Sequence, residues 1–209
     1  MALGLCELKY YFDNEQPPPR HHPWRGSEVS SAFEYYDFKK SPEPIGQVLE
    51  DFRPWERYEA VPTYYDLLRW LNGQDSALET NESGLLPPQV NTQAEFPWQL
   101  KIHGRMTVFA RSLAFNTDPN NIQWMASVIA GNLENAPNFP GRVAIGNMVT
   151  FFTEIQRQGH VVTMRYWAWG NTEEETFGNV NRLFLVLSDC LRGLSSSLEH
   201  LNETPNTDD

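Results

Sequence analysis

The chain has 209 residues, of which 40% are hydrophobic and 13% aromatic, and its formal net charge at pH 7 is −11. This composition excludes a disordered chain and supplies enough apolar side chains for a substantial core. The negative charge disfavours DNA, RNA and anionic membranes as partners and favours a basic protein, although acidity is also a common route to solubility.

From the sequence we expect no export signal and no membrane span. Its N-terminus lacks a basic segment followed by an apolar core, and no apolar run approaches the roughly 18–20 residues that a span requires. We therefore expect a cytoplasmic protein.

Cys6 and Cys190 lack metal-ligand or redox spacing and lie in apolar patterns, which favours buried thiols, with a single disulfide as the alternative.

The first residues of the chain predict β-structure. Apolar and polar side chains alternate over residues 6–12, which indicates an opening strand, and residues 32–36 form a second candidate strand. The segment between them is rich in proline, histidine and glycine, and we expect it to be a loop.

Two short helices are predicted next. Apolar residues over 44–52 recur at helical spacing, and a second helix has Pro62 in its first turn. Gly73 follows that helix, where a C-cap favours a residue that tolerates positive φ. The polar, turn-rich segment 72–96 predicts a long loop.

Three extended segments dominate the second half. Residues 100–108 alternate strictly and predict a half-buried strand, while 161–169 are rich in β-branched and aromatic residues and predict another. Residues 142–155 are extended but mixed in period. Gln158-Gly159 predicts the turn that precedes the last strand.

Two capped helices are predicted around these strands. Asp118 and Pro119 form an N-cap and first helical residue for a helix that reaches about Glu134. Thr172 followed three residues later by Glu175 is a capping box, and it begins a final helix that extends to about residue 198. Its apolar positions form one stripe: Phe177, Val180, Leu183, Phe184, Leu187, Leu191, Leu194 and Leu198.

These elements predict an α+β fold, with a mostly antiparallel sheet backed by helices and a long C-terminal helix packed on the sheet. We expect one domain over residues 1–201 and a flexible tail over 202–209. The stripe of the last helix also resembles a coiled-coil seam, but Gly178 and Gly193 weaken an isolated helix, so packing on the sheet is favoured over a homodimer.

The histidines have no metal-binding spacing. His21 and His22 are adjacent, so on regular structure they point in different directions, and His103, His160 and His200 are isolated in sequence. No phosphate-binding loop or nucleophile motif is present either. We therefore expect no metal, no cofactor and no enzymatic activity.

Two local patterns have an alternative functional interpretation. Glu7-Leu8-Lys9 resembles part of a restriction-type nuclease site, but that site also needs a carboxylate from a preceding strand. Residues 165–169 (Arg-Tyr-Trp-Ala-Trp) resemble a stacking platform for bases or sugars. Few basic residues surround this segment and the net negative charge of the chain repels nucleic acid, so core packing is the better interpretation.

Several strings together carry a family resemblance. They are Leu8-Lys9-Tyr10-Tyr11-Phe12, residues 62–68, the segment from Leu78-Glu79-Thr80-Asn81 to Pro87-Pro88, His103-Gly104-Arg105, and residues 166–170. They resemble uncharacterised proteobacterial proteins and, more distantly, immunity proteins that accompany secreted polymorphic toxins. The resemblance implies a protein that binds and neutralises a toxin. None of the strings is a catalytic signature, and the resemblance assigns no binding residue.

The first hypothesis is a cytoplasmic immunity-type protein that binds a cognate toxin with a basic surface, because opposite charge raises the encounter rate. Clustered carboxylates near aromatic residues are the candidate contacts. They are Glu50, Asp51, Trp55, Glu56 and Glu59, together with Glu173, Glu174 and Glu175 at the start of the last helix.

Two alternatives belong to other classes. One is an enzyme, a hydrolase or nuclease, whose site assembles from dispersed residues, with His103, Arg105 and Glu154 as candidates. The other is a non-catalytic adaptor that forms a homodimer through its last helix.

Overall fold

The computed structural model describes residues 20–22, 54–93 and 96–203. Within these ranges the strands are β1 (Arg20–His22), β2 (Leu78–Leu85), β3 (Gln89–Val90), β4 (Leu100–Ala110), β5 (Gly141–Phe152) and β6 (Arg157–Gly170). The helices are α1 (Ala60–Asn72), α2 (Pro119–Glu134) and α3 (Glu173–Glu203), and a 3₁₀ turn spans Phe115–Thr117.

The strands form one sheet in the order β1-β5-β6-β4-β2, and β3 pairs with β4 next to the end of β2. Each described pairing is antiparallel except that of β1 with β5, which is parallel. The three helices pack against this sheet. The predicted α+β fold with a mostly antiparallel sheet is therefore confirmed.

One face of the sheet carries the main core. Directly opposed residues on antiparallel strands point to the same face, and every second residue along a strand repeats it. The helix-facing residues are apolar and buried: Leu78, Leu85, Ile102, Met106, Val108, Ala110, Val143, Ile145, Val162, Met164, Tyr166 and Ala168. The opposite face has a small apolar cluster of its own, made of Phe109, Phe152 and Val161.

The final helix begins as the capping box predicts. The Glu175 backbone N–H donates to Thr172 Oγ1 over 3.1 Å, and Glu175 Oε2 accepts from the Asn171 N–H over 2.9 Å. The whole predicted stripe, from Phe177 to Leu198, is buried in the core. These side chains pack inside the same chain, and the helix continues to Glu203, beyond the predicted start of the tail.

The N-cap of α2 is also confirmed, because Asp118 Oδ1 accepts from the Asn120 N–H over 2.9 Å. Gly73 is the C-cap of α1, as predicted, but it does not use a positive φ: its φ is −79° and its ψ is 171°, which is extended backbone. Glycine is needed there for close approach, since a Cβ would lie 2.9 Å from the Arg69 carbonyl oxygen.

The turn predicted at 158–159 lies instead at 153–156, and residues 158–159 belong to β6. Gln156 has a φ of 53° and provides the left-handed residue that closes the hairpin.

The predicted loop over 72–96 contains two strands, β2 and β3. The pairing of β2 with β4 shifts register between Thr80 and Glu82, which is a bulge. The bulge interrupts the alternation, so Leu78 and Leu85 face the helices although they are an odd number of residues apart. The strands predicted over 6–12 and 32–36, the helix over 44–52 and Cys6 lie outside the described residues.

Candidate functional site

The structure brings together the two groups of glutamates that the sequence singles out. The Tyr58 hydroxyl donates to Glu173 Oε2 over 3.3 Å, and Asn181 Nδ2 donates to Glu59 Oε2 over the same distance. The segment that leads into α1 therefore lies against the first turns of α3. We call Glu56, Glu59, Glu173 and Glu174, which are all exposed here, the acidic surface.

Aromatic packing and hydrogen bonds fix the base of the acidic surface. The ring of Tyr58 stacks on that of Phe177 with centroids 4.3 Å apart and an interplanar angle of 9°. Thr63 Oγ1 donates to Asn181 Oδ1 over 2.7 Å, which orients the amide that holds Glu59. These contacts join α1 to α3 and limit the rearrangement that a partner would have to impose.

Within the described residues, the cation Arg57 lies next to Glu173 of the acidic surface. Arg57 Nη2 is 3.7 Å from Glu173 Oε2 and donates to the Tyr58 hydroxyl over 2.9 Å. The hydrogen bond to Tyr58 raises the pKa of Arg57 above its ordinary value. Because Arg57 partly offsets Glu173, the stronger source of negative charge is Glu56, Glu59 and Glu174.

The remaining predicted contact residues have other positions. Glu175 is exposed but its carboxylate serves as part of the helix cap. Trp55 is half-buried and packs against the main core beside Tyr58. Glu50 and Asp51 lie outside the described residues.

The dispersed residues of the enzyme hypothesis do not form one group. His103 lies opposite Trp167 in the β4–β6 ladder, and Arg105 is two residues further along β4. Glu154 lies in the turn before β6, next to the Phe152–Arg157 pair. At about 3.3 Å per strand residue, the ten residues from Arg157 to Trp167 separate Glu154 from His103 by roughly 30 Å.

Sequence reasoning missed a buried polar cluster on the face of the sheet that the helices do not cover, which we call the helix-free face. His22 Nδ1 is 2.9 Å from Asn81 Oδ1, and its Nε2 is 3.4 Å from Glu79 Oε1. All three residues are at most 8% exposed. The His22 ring also lies edge-on to Phe109, with centroids 4.7 Å apart.

This cluster joins the two ends of the sheet order, since His22 is on β1 and Glu79 and Asn81 are on β2. A carboxylate beside an imidazole can exchange a proton, but here Phe109 and Phe152 flank the ring. The cluster therefore serves to hold the edge strands together. No signal in the sequence identifies it, because the adjacent pair His21-His22 is separated from β2 by more than fifty residues.

No group of three or more His, Cys, Asp or Glu side chains is arranged to hold a metal ion among the residues described. In the same ranges, no helix combines the length and apolar character that crossing a membrane requires. Comparison of the chain with protein-family models, with curated proteins and with solved structures found no match.

Proposed function

We propose that this chain is an immunity-type protein that binds a cognate toxin through the acidic surface and neutralises it. The observation that carries the proposal is the convergence of two glutamate groups, distant in sequence, at the starts of α1 and α3. A toxin with a basic active site is the partner whose charge this surface complements.

The electrostatics favour rapid capture of such a partner. Three exposed carboxylates, those of Glu56, Glu59 and Glu174, lie on a chain whose net charge is −11. Complementary charge raises association rates and makes them fall with ionic strength. Association with the toxin should therefore slow markedly between low and physiological salt.

Neutralisation by binding also depends on a surface that is already shaped. The Tyr58–Phe177 stack and the Thr63–Asn181–Glu59 hydrogen bonds hold the acidic surface in place on two helices. A preformed surface reduces the ordering cost of association, so more of the contact energy appears as affinity. Such a protein needs no catalytic group, because covering the active site of the toxin is sufficient.

The test is co-expression with the product of the neighbouring gene, with pull-down and protection of cell growth as readouts. Reversing two exposed charges of the acidic surface, Glu56→Lys with Glu174→Lys, should abolish protection and weaken the complex at least tenfold. The matched control is Asp189→Lys with Glu199→Lys, an equal charge change at exposed positions further along α3. Equal loss in both variants, or no complex with the natural chain, would refute the proposal.

A further inference from the structure

The helix-free face of the sheet concentrates cations around one tryptophan. Trp167 lies directly opposite His103 on β4 and Arg142 on β5. The next row pairs Arg105 with Arg165. Opposed residues share a face, so these five side chains lie together on the face that the helices do not cover.

Lys101, two residues before His103 on β4, belongs to the same face. We call Lys101, His103, Arg105, Arg142, Arg165 and Trp167 the Trp167 surface. Its three arginines come from three different strands, so no continuous stretch of sequence shows them together. Core packing, the interpretation favoured from the sequence, is confirmed for Tyr166, Ala168 and Trp169, which are buried. What the sequence did not show is that the neighbouring strands place basic residues around Trp167.

The Trp167 surface places an aromatic ring next to guanidinium groups. The Arg142 guanidinium carbon lies 5.8 Å from the centroid of the Trp167 ring. Tyr166, on the other face, and Trp169, the next residue of β6 on the same face, are buried, but Trp167 is only half-buried. Arg105 is ion-paired with Glu82, yet 49% of its side chain is exposed, and Arg165 is exposed as well.

The repulsion between the basic residues of the Trp167 surface lowers the stability of the folded chain. Like charges directly opposite one another destabilise a sheet, and Arg105 and Arg165 are such a pair. In the part of the chain that the structure describes, Glu82 lies on this face and pairs with Arg105. With Glu82 counted against the four basic residues, these described groups carry a net charge of +3 on a chain whose net charge is −11, which favours an anionic ligand here.

We propose that the Trp167 surface binds a nucleoside phosphate, with its base stacked on Trp167 or on the Arg142 guanidinium and its phosphates held by Arg105 and Arg165. Aromatic rings and guanidinium planes both stack on bases, and arginine binds phosphate oxygens through two parallel N–H donors. A ligand that was only anionic would not use the indole, and one that was only aromatic would not use the arginines.

The net negative charge of the chain limits the length of this ligand. A long polyanion would meet repulsion beyond the Trp167 surface, whereas a nucleotide with a few phosphates occupies only the basic region. The same chemistry occurs in a free mononucleotide and at the end of a single strand. The site uses none of the residues of the acidic surface, so it stands or falls independently of the proposed function.

Isothermal titration calorimetry of the full chain at low salt tests the proposal with four probes: ATP, adenosine, tripolyphosphate and a ten-nucleotide oligoadenylate. We expect ATP to bind at least fivefold more tightly than adenosine or tripolyphosphate. Binding of the oligoadenylate more than tenfold tighter than ATP would assign the site to a strand. Any oligoadenylate affinity below that threshold would assign it to a free nucleotide.

Two variants locate the site. Arg165→Gln at an exposed position and Trp167→Leu should each weaken ATP binding by at least about fivefold, the loss typical of a removed stacking or charge contact. Arg182→Gln, an exposed arginine on α3, is the matched control and should bind as the natural chain does. If Trp167→Leu fails to fold, Arg165→Gln still decides. No binding of ATP or oligoadenylate, or equal affinities for Arg165→Gln and the natural chain, would overturn the proposal.

Discussion

The imidazole Nε2 of His22 lies 3.4 Å from Glu79 Oε1, although these residues belong to the strands at opposite ends of the sheet order. The sheet therefore curls at this end until its two edges meet over Phe109 and Phe152. A buried carboxylate is tolerated only where it has partners, and His22 is one of them.

Separating this pair should cost considerable stability. His22→Ala leaves Glu79 and Asn81 buried with one partner fewer, and we expect the free energy of unfolding to fall by about 2–4 kcal/mol. Urea denaturation at pH 7 of His22→Ala, Glu79→Gln and the double variant measures the coupling between the two side chains. We expect a coupling of at least about 1 kcal/mol; additive single effects would show that the pair contributes nothing of its own.

Asn116 replaces a strand partner at the end of β4. Its Oδ1 accepts from the Ala110 N–H over 2.9 Å, and its Nδ2 donates to the Ala110 carbonyl oxygen over 2.7 Å. The ladder of β4 with β6 has ended by then, at the Val108–Val162 pair. The side chain is fully buried, so no solvent can replace these bonds.

Asn116→Ala should therefore lower the free energy of unfolding by at least about 2 kcal/mol, because two buried backbone groups lose their partner. Asn116→Asp keeps the acceptor for the N–H but loses the donor, and we expect it to be destabilised as well. Asn135→Ala is the control: its side chain bonds a helix carbonyl over 2.8 Å at an exposed position, and we expect a change below about 0.5 kcal/mol. Chemical denaturation compares the three.

Alternation and caps predicted the elements that have one face on the helices. β4 and α3 were found from the period of their apolar residues, whereas β6 was found from its β-branched and aromatic residues, because Val161 on its other face is buried as well. β2 was missed because its bulge at residues 80–82 reverses the alternation of buried and exposed residues. The strand also lies at an edge of the sheet, and most of its residues are polar. Local pattern cannot anticipate a register shift that depends on the neighbouring strand.

The candidate sites were likewise predicted only in part from the sequence. The capping box located Glu173–Glu175, but the contact between Glu59 and Asn181 depends on how α1 packs on α3. The environment of Trp167 depends on the register of three strands, and a one-residue slip would move Arg142 to the other face. Residue types were therefore readable from the sequence, whereas their neighbours required the fold.

Gly104 is required by the tyrosine that crosses it. The Tyr166 hydroxyl donates to the Gly84 carbonyl oxygen over 2.8 Å, and a Cβ on Gly104 would lie 2.7 Å from Tyr166 Cζ and also against Gly84. Gly104→Ala should destabilise the protein by about 1–3 kcal/mol through overpacking. Gly146→Ala on β5 is the control, since a Cβ there meets nothing within 4 Å. Equal thermal midpoints for the two variants would contradict the prediction.

Two half-buried histidines make stability depend on pH. Burial lowers the pKa of His103, with a further contribution from the nearby Lys101, and burial alone lowers the pKa of His160. His160 Nδ1 is buried without a hydrogen-bond partner, in accord with a neutral ring. In the unfolded chain both histidines return to a pKa of about 6.5.

Below pH 6.5, the unfolded chain therefore binds protons that the folded chain does not, and the free energy of unfolding decreases as the pH falls toward the folded pKa values. Urea denaturation at pH 7.5 and 5.5 should show this loss in the natural chain. The double variant His103→Gln with His160→Gln should lose less over the same interval, whereas the exposed His200→Gln should behave as the natural chain does. An identical loss in the double variant would assign the pH dependence to the carboxylates instead.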